Sequence, residues 1–201
     1  MISAQAAPDS GARTGQAGAF GGFRTRWALL LSAAGGLAVF ASSPPLDVWP
    51  LAFAGPGLLV VALTGRSLRA SFGCGLVFGL SLFVPLLSWL INVAWYAWAA
   101  LAGAEAVIFA VLCVGQRLLL DLPFWPAAVA AWWVSAEALR DRWPFAFPWG
   151  RLAMSQSVAP DVRGVAGGGA PLLSFLVALA GAMLARVFLT WLGSRSRGAA
   201  G

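Results

Sequence analysis

The chain has 201 residues, 60% of them hydrophobic and only 10% charged, with a formal net charge of +6 and a mean hydropathy of +0.83. Soluble domains carry about 25% charged residues, so this chain has too little charge to cover a water-facing surface, and a soluble globular protein is excluded. All thirteen basic residues are Arg and there is no His; arginines beside apolar runs set membrane topology and touch anionic lipid, which argues against nucleic acid as a partner.

Residues 1–22 are rich in Gly, Ala and Ser and lack apolar periodicity, which predicts a disordered cytoplasmic tail. Six apolar runs follow: Trp27–Ser42, Val48–Leu63, Ala70–Ile91, Ala104–Leu120, Trp125–Leu139 and Ala170–Leu192. A helix needs about 20 residues to cross the hydrocarbon core. The second and fifth runs are short, so local thinning or interfacial Trp49 and Trp125 must help them. The expected fold is all-α, a polytopic membrane bundle of about six transmembrane helices over 23–193. A cytoplasmic tail is expected over 194–201.

The first run has signal-peptide character, with Arg24 and Arg26 before it and Ala41-Ser42-Ser43 after it. Five further runs with no soluble domain to export favour a retained helix. Counting arginines by loop places Arg13, Arg24, Arg26, Arg66, Arg69, Arg117, Arg195 and Arg197 on one side, and Arg140, Arg142, Arg151 and Arg163 on the other. Eight against four gives an N-in orientation. All four outer arginines lie in one loop over 140–169, which is expected to be an outer interfacial loop. Arg186, near the inner end of the last run, can snorkel.

Within the runs, Gly75 and Gly79 are four apart and permit close backbone approach, read here as packing. Cys74 and Cys113 lie inside apolar runs and are expected to be buried, reduced packing residues. Glu105 opens the fourth run and is read as an interfacial cap. Trp89, Trp95, Tyr96 and Trp98 crowd the outer end of the third run, as in an aromatic belt. Glu137 and Arg140, at i and i+3, are expected to share a helix face as an ion pair. In the loop that follows, Pro148 fixes its own φ and pushes Phe147 toward an extended conformation, which holds Phe147 and Trp149 in a defined direction. No residue pattern calls for a metal or a cofactor.

Taken in order, Asp47-Val48-Trp49-Pro50, Trp89, Glu137-x-x-Arg140, Phe147-Pro148-Trp149 and Ser155-Gln156 resemble the membrane-embedded part of bacterial apolipoprotein N-acyltransferases, over about Trp27 to Leu192. The resemblance implies a multi-pass protein of the bacterial cytoplasmic membrane that acts in lipoprotein maturation. It also implies a cleft toward the outer leaflet formed by Phe147, Pro148, Trp149, Trp89, Glu137, Arg140 and Gln156. The substrates implied are a phospholipid acyl donor and a diacylglyceryl-prolipoprotein. A nitrilase-like domain with a Glu-Lys-Cys triad would carry the acyl group as a thioester, which is a better donor to an amine than the ester is.

The chain departs from that pattern in having no Lys and no Cys in a water-facing loop. No catalytic residue is therefore assigned to it, and by itself it is expected to be inactive. Ala146 stands where the family usually has Gly, and Ala153-Met154 where it has Gly-Tyr. Three readings follow. One is the lipid-binding membrane part of an N-acyltransferase, with a nitrilase-like domain possible in trans. A second is a non-catalytic membrane anchor of a polyprenol-phosphate-mannose synthase, a glycosyltransferase partner. The third is a small-molecule transporter, which the lack of an internal repeat weakens.

Overall fold

The computed structural model describes residues 11–144, 146–159 and 167–198. The tail expected over residues 1–10, the part of the outer loop over 160–166 and the last three residues lie outside the described residues. Among those described, every regular element is helical: α1 (Gly11–Ser42), α2 (Leu51–Leu63), α3 (Leu68–Leu86), α4 (Trp95–Leu119), α5 (Trp125–Arg140) and α6 (Gly169–Gly198), with single 3-10 turns at Ser88–Asn92 and Leu152–Gln156.

Local chemistry sets several of these boundaries. Ser67 caps α3, its hydroxyl accepting from the Ala70 N–H at 3.3 Å. Pro126 lies in the first turn of α5, where a missing N–H costs nothing. Arg117 sits in the last turn of α4, where a cation is favoured. It holds Asp121 at 3.0 Å and donates from Nε to the Arg66 carbonyl at 2.8 Å.

Four stretches are long and apolar enough to cross a membrane: Thr25–Ser42, Leu68–Leu86, Trp95–Leu119 and Gly169–Arg195. The 13-residue α2 is shorter, and the 16-residue α5 carries Glu137 and Arg140. The chain is a helical multi-pass membrane protein. Successive helices alternate in direction, which gives two ends. One carries Trp49, Trp89 and Trp149, and the other carries Arg66, Arg117 and Arg195.

Three expectations are corrected. The tail read over 1–22 is helical from Gly11 onward, because extending a formed helix adds one hydrogen bond per residue fixed without a new nucleus. The third run ends at Leu86 rather than Ile91, and Trp89 falls in the following 3-10 turn. The fourth helix begins at Trp95 rather than Ala104, so Trp95, Tyr96 and Trp98 open α4 instead of closing the third span. Trp98 pins that extra length by donating from Nε1 to the Val84 carbonyl at 3.0 Å.

The helices meet where side chains are smallest. A Cβ on Gly75 would stand 2.6 Å from the Cβ of Cys113, and one on Gly79 would stand 2.8 Å from the Ala106 Cα. Those two glycines therefore seat α3 directly on α4, the close approach that membrane helices use in place of a hydrophobic driving force. Gly35 against Gly55 does the same for α1 and α2, and Gly57 against Gly181 for α2 and α6. Around these contacts, Phe78 stacks on Phe109 at 5.0 Å, and Trp133 meets both rings edge-on. Cys74 and Cys113 are free and buried in this core.

Gly79→Leu should force α3 and α4 apart and destabilise the bundle by about 1–3 kcal/mol. Gly73→Ala, with nothing near its added methyl, should be neutral or stabilising by up to about 1 kcal/mol. Chemical or thermal unfolding in detergent checks both.

Candidate lipid-facing site

At the Trp149 end, α5 stops at Arg140 and the chain folds back across the bundle through residues 141–157. Two buried side chains at the end of α5 hold this return. Arg140 Nε donates to Glu105 Oε2 at 2.6 Å, with the two side chains 3% and 1% exposed. Arg140 Nη2 donates to the Trp149 carbonyl at 2.9 Å, its own carbonyl accepts from the Phe147 N–H at 3.0 Å, and its guanidinium lies 4.7 Å from the centre of the Phe83 ring. Glu137 Oε1 accepts from Trp133 Nε1 at 3.1 Å and from the Leu152 N–H at 2.8 Å.

Further contacts continue the attachment. Ser174 Oγ on α6 accepts from the Ala153 N–H at 3.1 Å. Gln156 Nε2 donates to the Trp49 carbonyl at 3.3 Å and to Ser155 Oγ at 2.8 Å. Arg151 pairs with Asp141 within the loop.

Two readings of the charged residues change here. Glu105 is no interfacial cap: it lies well inside α4, buried, as the partner of Arg140. Glu137 and Arg140 share a helix face as expected but are not an ion pair. Each is turned to a different element, because a carboxylate from α4 reaches the guanidinium and the Leu152 amide reaches Glu137. An unpaired charge at this depth costs several kcal/mol, which is why each group is enclosed by partners.

The loop so held presents a stack of rings. Phe147 and Trp149 lie 5.2 Å apart at 19°, and Trp89 lies 6.3 Å from Trp149. Two left-handed residues flank the stack, Ala146 at φ 50° and Gly150 at φ 78°. Trp149 and Trp89 are 43% and 48% exposed and form one wall of an open groove of about 690 Å³. The groove is lined by Phe40, Pro44, Pro45, Leu46, Pro85, Leu86 and Met154, with Ser43, Ser88, Asn92 and Ser157 as its polar groups.

Of the residues named from the sequence, Trp89 and Trp149 line this groove. Phe147 stacks on Trp149, Pro148 is half-buried between them in sequence, and Glu137, Arg140 and Gln156 are buried behind the loop as its anchors. Sequence reasoning missed the anchoring roles of Ser174 and Trp133 and the groove wall at Pro44-Pro45. A lone acid with apolar residues on both sides was the signal for Glu105. Among the described residues no cluster of His, Cys, Asp and Glu suits a metal ion.

Residues 34–183 match the family described as apolipoprotein N-acyltransferase N-terminal domain. The chain belongs to the apolipoprotein N-acyltransferase family. It is 40% identical over 157 residues to the apolipoprotein N-acyltransferase of Mycolicibacterium smegmatis, covering 75% of this chain and 26% of that protein. It is 32% identical over 172 residues to that of Azotobacter vinelandii, covering 78% and 33%. It is 31% identical over 172 residues to that of Pseudomonas paraeruginosa, again covering 78% and 33%. The chain thus spans about a quarter to a third of the length of these curated relatives. In this N-acyltransferase domain the matched region contains every anchor and every groove residue described above.

Arg140→Met should leave Glu105 as an unpaired buried charge and destabilise the domain by about 3–5 kcal/mol. The double variant Arg140→Met/Glu105→Leu, with no charge left buried, should recover part of that loss in a double-mutant cycle. The left-handed backbone at Ala146 penalises its Cβ by about 1–2 kcal/mol. Ala146→Gly should therefore stabilise by about 1 kcal/mol, read as a higher unfolding midpoint in detergent.

Proposed function

We propose that this chain is the lipid-binding, membrane-embedded part of a phospholipid-to-apolipoprotein N-acyltransferase, seated in the bacterial inner membrane with its N-terminus in the cytoplasm and the Trp149 end toward the outer leaflet. The observation that carries the proposal is the open groove walled by Trp89 and Trp149, in a chain whose matched region belongs to this family. Prolines and rings offer acyl chains a stiff apolar surface, and Ser88, Asn92 and Ser157 offer donors for glycerol ester oxygens. The phospholipid acyl donor and the diacylglyceryl-prolipoprotein acceptor share that diacylglycerol chemistry. Arginine bias supports the orientation.

In this reading the groove orients the donor ester. A thiol of a nitrilase-like domain, on the same polypeptide or in trans, attacks the ester carbonyl and the lysophospholipid leaves. The thioester then passes its acyl group to the lipoprotein's α-amino group. Neither cysteine described here takes part, because Cys74 and Cys113 are both buried among helices. The contribution of this chain is binding and alignment.

A photoreactive phospholipid should label the groove around Met154 and Ser157. Trp149→Ala should cut that labelling by about fivefold, the effect of losing one aromatic contact of ~1 kcal/mol. Equal labelling in wild type and Trp149→Ala, read by peptide mass spectrometry, would count against the groove as the donor site.

A further inference from the structure

At the opposite end of the bundle, Arg186 is a charge set on an apolar face. It sits on the outward face of α6 among Met183, Leu184, Val187 and Phe188, all of them exposed. It has no ion pair or hydrogen bond among the described residues. Arg186 lines a groove with Leu189, Thr190 and Gly193, one to two turns nearer the membrane boundary at the Arg195 end, the side toward which an arginine here can snorkel.

The helix beside it opens a path from that boundary. α5 begins at Trp125, which lies level with Arg186 and Thr190 across a groove of about 350 Å³. α6 runs on to Gly198, about 12 Å beyond Thr190 at 1.5 Å per residue. The shorter helix leaves a notch against the longer one. This end is also strongly cationic: among the described side chains, Arg26, Arg66, Arg69, Arg117, Arg186 and Arg195 face only one acid, Asp121.

We propose that the notch between the start of α5 and Arg186 is a binding site for the headgroup of an anionic phospholipid, whose phosphate pairs with the Arg186 guanidinium. A phosphate lowered into the notch supplies the counter-charge that the lipid-facing side of α6 lacks, and the Thr190 hydroxyl lies within the same groove. The surplus of arginines selects an anionic over a zwitterionic lipid. The site lies at the other end of the molecule from the Trp89–Trp149 groove and does not depend on what that groove binds.

The test is native mass spectrometry of the full chain in detergent, titrated separately with phosphatidylglycerol and phosphatidylethanolamine. Wild type should bind one phosphatidylglycerol in preference to phosphatidylethanolamine. Arg186→Gln should weaken phosphatidylglycerol binding by about fivefold, the worth of one arginine near a lipid surface. Arg186→Lys, which keeps the charge, should retain most of the binding, and Arg195→Gln, outside the notch, should retain the preference. Lipid-free unfolding of Arg186→Gln should match wild type. No preference in wild type, or an undiminished preference in Arg186→Gln, would overturn the proposal, as would equal losses in Arg186→Gln and Arg195→Gln, which indicate adventitious adsorption to charge.

Discussion

Two opposite charges, Glu105 on α4 and Arg140 at the end of α5, meet inside the bundle at 2.6 Å where neither is more than 3% exposed. In an apolar interior each would be costly alone, so each requires the other. That requirement fixes the end of α5 against α4. It also aims the second edge of the guanidinium at the Trp149 carbonyl, so the return loop is held by the same residue. The backbone between Phe147 and Gly150 then has little freedom, and its rings face the groove as a fixed wall. Glu137 repeats the arrangement one turn earlier by capturing the Leu152 N–H.

This design explains how an irregular segment is held against an apolar bundle. Non-helical backbone beside lipid must find partners for its polar groups. Here buried side chains on α5 and α6 provide them, through Glu137, Arg140 and Ser174. The polar contacts sit behind the loop and the aromatic rings in front of it. The exposed face is therefore apolar and suited to lipid, while the attachment is protected from it. Small residues do the corresponding work elsewhere: Gly75, Gly79, Gly57 and Gly181 bring backbones into contact, so rigid neighbours support the charged anchors.

The two ends of the molecule are chemically unlike. The Trp149 end combines internally neutralised charges with stacked rings and a wide groove. The Arg117 end carries cations in excess and a notch made by unequal helix lengths.

Composition alone determined that the chain is an all-α membrane bundle, because too little charge is present for a water-facing surface and apolar runs near membrane length recur. The glycine spacing of α3 and the order of Trp89, Glu137, Arg140 and Phe147-Pro148-Trp149 were equally legible, since each is a local pattern. Helix ends were less so: α4 gains its first turns from a Trp98 bond to α3, a tertiary contact that no local pattern encodes. The partner of Arg140 was decided only by the fold. Glu137 is the near acid in sequence, yet Glu105, 35 positions away, takes the guanidinium, because packing α3 on α4 and closing the loop over α5 bring a distant carboxylate into reach and give Glu137 a backbone amide, that of Leu152, instead.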